Sequence, residues 1–118
     1  MNRPYDFRAW DKANKRMIYS VSSMLNNSSF ELMMYIWNED KNHKKIYEGD
    51  ILLTQVPAEW DMEQKRDEIA VVEFDGDRFW AKSCFTPDWH ELGDFYWSVI
   101  GNKWENSELM KGNDEKTK

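Results

Sequence analysis

One cysteine, Cys84, is all the thiol chemistry in this 118-residue sequence. It cannot form an internal disulfide, and a chain that folds without one suits a reducing cytoplasm. Two histidines and no Cys-x-x-Cys pair leave little with which to bind a transition metal. No Walker loop and no dinucleotide fingerprint occur, so nothing predicts a nucleotide cofactor. Long apolar runs are missing too. The longest, Leu32 to Trp37, is far short of the roughly 20 residues that a membrane-spanning helix needs. The start, Asn2-Arg3-Pro4-Tyr5-Asp6, has no apolar stretch behind it and does not read as a signal peptide. Three prolines and five glycines punctuate turns but build no linker, and no repeat is visible. The expectation is one cytoplasmic domain over 1–110, with a charged, apolar-free tail over 111–118 that is read as disordered.

Aromatic residues are abundant: seven Trp, six Phe and five Tyr. They can fill a small β core or form an exposed platform for a partner, and a domain this small can hardly hide every Trp. The net charge is −6, unevenly placed. Residues 1–56 hold 8 Lys/Arg against 7 Asp/Glu, and residues 57–118 hold 8 against 15. Such a surface repels phosphate backbones, which disfavours nucleic-acid binding, and it keeps a small protein soluble. Lys12, Lys15 and Arg16, with Lys41, Lys44 and Lys45, make two small basic turns, too few for a nucleic-acid footprint.

Short strands separated by turn signals predict a mainly β fold, a small barrel or rolled antiparallel sheet. Phe7–Trp10 and Met17–Val21 read as an N-terminal hairpin around Asp11–Arg16, with Asn14 suited to a left-handed turn position. A Ser/Asn-rich loop follows over 22–29. Phe30–Trp37 mixes helix-favouring Leu-Met-Met with strand-favouring Tyr-Ile-Trp and is read as a strand. Glu48-Gly49-Asp50 supplies a tight turn into the apolar Ile51-Leu52-Leu53, because Gly takes positive φ without steric cost. Pro57 ends that strand. Ala58 to Asp67 has the composition of a short surface helix. Glu68–Lys82 reads as a hairpin with Asp75-Gly76 as its turn, which sets Val72 opposite Phe79, Ala70 opposite Ala81, Val71 opposite Trp80 and Glu73 opposite Arg78. Ser83–Gly93 is a loop, Asp94–Ile100 a last strand, and Trp104–Met110 a helical turn.

Three stretches resemble one family. Phe7-Arg8-Ala9-Trp10-Asp11 with Met17-Ile18, then Ile46-Tyr47-Glu48-Gly49-Asp50-Ile51, then Val99-Ile100-Gly101-Asn102 with Glu105-Asn106-Ser107-Glu108-Leu109, are similar to YopX-type proteins of phages and prophages. The resemblance implies a mostly β, SH3-like core, partly open as a barrel, a phage or prophage gene acting in the bacterial host, and self-association. It implies no activity and carries over no functional residue. Relatives usually have Thr-Gly-Leu-x-Asp-x-x-Gly before the central motif. Here Asp40 and Asn42 are kept while Trp37 and His43 stand where the glycines would be, which implies a tighter or differently shaped turn.

Possible reactive groups are few. His90-Glu91-Leu92-Gly93-Asp94 echoes the zinc pattern His-Glu-x-x-His, but Gly93 weakens a helix and no third ligand follows, so a surface-loop histidine is the expected reading and no metal site is assigned. Cys84 and His90 have the residue types of a nucleophile and base. The apolar neighbours Phe85 and Trp89 instead favour a half-buried, inert thiol. Glu48 and Asp50, in one turn, are better suited to bonding local backbone N–H groups than to sharing acid–base work. With no catalytic constellation, no cofactor and no metal, the chain reads as a non-enzymatic homo-oligomer that binds a host or phage protein. Trp60, Trp80 and Trp89 are the candidate partner-binding residues. The alternatives are a small β-barrel that binds nucleic acid by base stacking, and an acidic inhibitor of a host nucleic-acid-binding protein.

Overall fold

The computed structural model describes residues 7–21, 29–57, 63–93 and 96–111. Two antiparallel sheets carry almost everything. The first has four strands in the order β2-β1-β3-β4, with β1 Phe7–Asp11, β2 Arg16–Val21, β3 Phe30–Glu39 and β4 Lys45–Tyr47. The second has five in the order β8-β7-β6-β5-β9, with β5 Asp50–Pro57, β6 Lys65–Phe74, β7 Phe79–Ser83, β8 Trp89–His90 and β9 Ser98–Asn102. A 3₁₀ turn, Ser107–Met110, the only helical element among the described residues, lies against β6. The fold is mainly β and its sheets do not close into a barrel. No helix among the described residues is long and apolar enough to cross a membrane.

Local chemistry explains the turns. The N-terminal hairpin forms as expected, Asp11 pairing with Arg16 across Lys12–Lys15. Asp11 organises that loop by accepting from the Ala13 and Asn14 N–H groups and from Asn14 Nδ2. The left-handed residue is Lys15, φ 55°, and not Asn14, whose side chain is spent on Asp11. Gly49 has φ 89°, and a Cβ there would lie 3.2 Å from Met33 Sδ, so both backbone and space call for glycine. The turn over 40–44 is built on Asp40, whose carboxylate accepts from the Asn42 and Lys44 N–H groups. His43, which stands where the resemblance would have glycine, holds φ 67°, in the left-handed region that favours glycine.

The central hairpin differs from expectation by two residues. Phe74 pairs with Phe79, Glu73 with Trp80, Val72 with Ala81 and Val71 with Lys82. The turn is Gly76-Asp77, with Gly76 at φ 100° in its first position, where mirror-image hairpin turns place glycine. Asp75 sets this register: its carboxylate accepts from the Asp77 and Arg78 N–H groups, and its N–H donates to the Arg78 carbonyl. The expected Glu73–Arg78 pair is absent, and Arg78 meets Glu91 instead at 3.2 Å. A slip of two keeps every side chain on its predicted face, because strand faces alternate with period 2.

Three further boundaries moved. The helix expected over 58–67 is contradicted at its C-terminal end, since Lys65, Arg66 and Asp67 already belong to β6, paired with Pro57, Val56 and Gln55. Residues 58–62 lie outside the described residues, as do Trp60, most of the 22–29 loop and the tail beyond Lys111. The last strand begins at Ser98, after Trp97, whose side chain enters the core and whose carbonyl accepts from the Lys41 N–H. The loop after β7 contains a short edge strand, β8.

Leu52, Ala70, Val72 and Ala81 line one face of the five-stranded sheet and pack with Ile46 of β4 and Trp97. Ile36, Phe79, Leu92 and Val99 fill in around them. Removal of such side chains from water is the main favourable term in folding.

Candidate functional site

The pairing of β8 with β7 puts Trp89 opposite Lys82, and that of β7 with β6 puts Trp80 opposite Glu73. Trp80, Lys82 and Trp89 therefore share the sheet face that points away from the core. Trp80 and Trp89 meet edge to face, ring centroids 6.4 Å apart at 88°. Each also carries a cation, the Arg78 guanidinium 4.4 Å from the Trp80 centroid and the Lys82 ammonium 5.6 Å from that of Trp89. Trp80 Nε1 donates to Asp75 Oδ2 at 2.7 Å, which fixes the indole over the turn. Trp89 stays 44 % exposed and Trp80 half-buried. The structure thus brings together two of the three tryptophans read as partner-binding, while Trp60 lies outside the described residues. The opposite end of this face is closed within the chain, for Val71 is buried.

His90 alternates to the core side, where its Nε2 lies 2.7 Å from Glu68 Oε2. Glu68 is fully buried, and its other oxygen accepts from Arg66 Nη1 at 2.7 Å. Burial would raise the Glu68 carboxyl, but hydrogen bonds from His90, Arg66 and Ser83 outweigh it and hold it below the ordinary range. With Nε2 engaged by Glu68, His90 is a structural residue that ties β8 to β6. Cys84 is half-buried, and burial pushes its thiol up, the setting of an unreactive cysteine. No group of three or more His, Cys, Asp or Glu among the described residues could hold a metal ion. Asp94 of the zinc-like pattern is outside them.

Glu48 and Asp50 have different surroundings. Asp50 is buried, accepts from the Tyr47 N–H at 2.8 Å and pairs with Arg8 Nη2 at 2.8 Å. Burial pushes its carboxyl up against the pull of Arg8. Burial also raises Glu48, with Lys103 opposing. Arg8 was not singled out in the sequence, although an arginine between apolar neighbours in a strand is a signal for a buried partner. Its guanidinium lies 4.8 Å from the Tyr47 ring centroid, and Nη2 also donates to the Glu48 carbonyl.

The turn after β9 locks onto the same place. The Lys103 N–H donates to the Gly49 carbonyl. Asn102 Oδ1 accepts from the Trp104 and Glu105 N–H groups, and Asn106 Oδ1 accepts from the Asn102 N–H. A Cβ on Gly101 would come within 2.5 Å of Asn106 Oδ1, which accounts for Gly101. Asp40 closes the assembly, taking the Asn42 and Lys44 N–H groups on one oxygen and the Val99 N–H on the other, each at 2.8 Å. The three stretches that carried the family resemblance thus interlock, and their polar residues hold the two sheets together.

This geometry defines a small two-sheet β protein in which the stretches around Arg8, Asp50 and Asn102 form a structural clasp, while the Trp80–Trp89 pair lies on the outward face of the central hairpin. Residues 20–111 match the YopX protein family, and the chain belongs to it. The crystal structure of protein EF1440 from Enterococcus faecalis is similar, with a TM-score of 0.66 and 21 % identity over 92 % of this chain and 99 % of that one. At that identity the likeness is one of fold. No curated protein matches this chain in sequence.

Proposed function

We propose that this protein is a non-enzymatic, self-associating module that binds a host or phage protein in the bacterial cytoplasm, encoded by a phage or prophage. The observation that carries the reading is the Trp80–Trp89 pair, flanked by Arg78 and Lys82 on the outward face of the central hairpin. Trp and Arg are over-represented where proteins bind one another, and edge-to-face indoles present apolar area at little cost in side-chain freedom. Glu91 pairs with Arg78 and Asp75 holds the Trp80 indole, so the patch is mixed in charge and suits a second copy of itself better than a phosphate backbone. The family likeness supports the phage setting.

Size-exclusion chromatography with light scattering tests this. Wild type is expected to exceed monomer mass at high micromolar concentration. Trp89→Ala and Trp80→Ala should shift it toward monomer, since truncating an aromatic anchor commonly costs about 2 kcal/mol or more. Trp89 is the safer variant because it is more exposed, and β-type circular dichroism should persist. A monomeric wild type overturns self-association. Tight, salt-sensitive binding of single-stranded DNA would replace the reading with base stacking.

A further inference from the structure

The two sheets of the described residues have four edges, and three of them are protected. On β4 the Tyr47 N–H is taken by Asp50. On β9 Asp40 takes the Val99 N–H and Asn106 takes the Asn102 N–H, while the Lys41 N–H caps the Trp97 carbonyl just before the strand. The edge strand β8 has only two residues. The fourth edge, β2, differs. The Lys12 N–H donates to the Ser29 carbonyl on the β3 side, so alternation along β1 turns the backbone groups of Asp11 and Ala9 toward Arg16 and Ile18. The N–H and C=O groups of Met17 and Tyr19 therefore point away from β1, and no described residue bonds to them. A bulge at Ser20 limits the regular edge to Arg16–Tyr19. Met17-Ile18-Tyr19 has neither the charge nor the proline with which exposed edges are usually blunted, and Tyr19 is 52 % exposed.

We propose that β2 pairs antiparallel with β2 of a second copy, across a two-fold axis at Ile18. This deepens the reading of self-association and rests on it, adding a contact separate from the Trp80–Trp89 face. The strand is complementary to itself in that register. Met17 of each copy opposes Tyr19 of the other, and each such pair exchanges two hydrogen bonds through the outward backbone groups. Ile18 opposes Ile18 between them, in the non-hydrogen-bonded position, with Cβ atoms about 4.5–5.5 Å apart. Both matches are favourable, a thioether against an aromatic ring and one aliphatic side chain against another. The cations stay apart. Arg16 comes opposite position 20, which leaves the two Arg16 residues about 14 Å apart along the strands, beyond the roughly 8 Å screening length at physiological salt. An extended segment of another protein could use the same backbone groups, but without this side-chain match. Two different two-fold contacts on one chain build a tetramer or an open chain, so losing either one leaves dimers.

Residue-resolved hydrogen exchange and light scattering test the contact together. Met17→Pro removes one outward N–H and leaves the β1 ladder intact, so it should fold and lose the β2 contact. The Tyr19 amide should exchange at least about tenfold more slowly in wild type than in Met17→Pro, while the Ile18 amide, already bonded to β1, should not change. Ile18→Lys and Ile18→Asp should each lose the contact alone, because like charges then stand directly opposite. An equimolar mixture of the two should recover it, a rescue that misfolded variants cannot give. Should both unfold, Met17→Pro and the exchange rates decide. A monomeric wild type sinks this contact and self-association alike. An oligomer whose Met17 and Tyr19 amides exchange freely, or whose mass is the same in Met17→Pro, overturns the β2 contact alone. So does a mixture of folded charge variants that fails to recover it.

Discussion

Arg8 and Asp50 form an ion pair at 2.8 Å with each side chain only 3 % exposed, one from the four-stranded sheet and one from the five-stranded sheet. Two charges taken from water this completely are costly, and their mutual attraction with added hydrogen bonds offsets that cost. Asp50 has the Tyr47 N–H as well, and Arg8 has the Glu48 carbonyl and the Tyr47 ring. The pair is best understood as fixing how the sheets meet, with little net stability of its own.

Asp50→Ala is therefore expected to destabilise by about 3–5 kcal/mol, because it strands a buried guanidinium. Arg8→Met alone should cost a similar amount. The double variant should cost clearly less than the two single losses together, with a coupling of at least about 1 kcal/mol. Urea unfolding of the four proteins measures this. Additive losses would mean that the ion pair is not what each substitution removes.

His43 holds φ 67° with its side chain 88 % exposed and only a 3.5 Å contact to Glu39. A left-handed conformation costs a non-glycine residue roughly 1–2 kcal/mol. Glycine removes that strain and gives back part of the gain through greater freedom of the unfolded chain. His43→Gly should raise stability by about 0.5–1 kcal/mol, read as an increase in thermal midpoint. A lower midpoint would show that the Glu39 contact or the turn's own rigidity matters more than the backbone strain.

The strands and turns were legible because their causes are local. The Asp75-Gly76 signal marked the hairpin of β6 and β7, Gly49 marked the turn into β5, and Tyr-Ile-Trp outweighed Leu-Met-Met in β3. Register was harder. Asp75 looked like a turn residue, yet it acts as the cap that moves the turn one position on, which two N–H bonds to its own carboxylate decide. Lys65–Asp67 has helix-compatible composition, but pairing with β5 overrides that propensity. The polar clasp was least visible. Asp40 and Val99, or Arg8 and Asp50, are brought together only by the tertiary fold, and no spacing in the sequence announces them. Trp80 and Trp89 could be named as partner-binding candidates from composition and hairpin pattern, while their mutual contact depends on the edge strand β8.

Asp40 makes acid sensitivity a test of that clasp. Burial would raise its carboxyl, but the Val99, Lys44 and Asn42 N–H groups more than offset this and hold it below the ordinary range. A carboxyl lowered in the folded state binds fewer protons there than in the unfolded chain. Its contribution is present above the unfolded value, near pH 4, and is lost as pH falls through the lower folded value. Glu68 has the same sign, whereas the raised Asp50 and Glu48 carboxyls work in the opposite direction. Asp40→Asn keeps the shape of the side chain but has one acceptor oxygen, so it must turn its amide nitrogen toward either the Val99 N–H or the Asn42 and Lys44 pair. That mismatch should cost about 2 kcal/mol at neutral pH. Between pH 5 and pH 3, as approximate limits set by the ordinary carboxyl range, the variant should lose less stability than wild type, because one titrating group has gone. Urea midpoints measured across that range check both parts. If the two proteins lose stability in parallel as pH falls, Asp40 is not among the groups that set the acid limit.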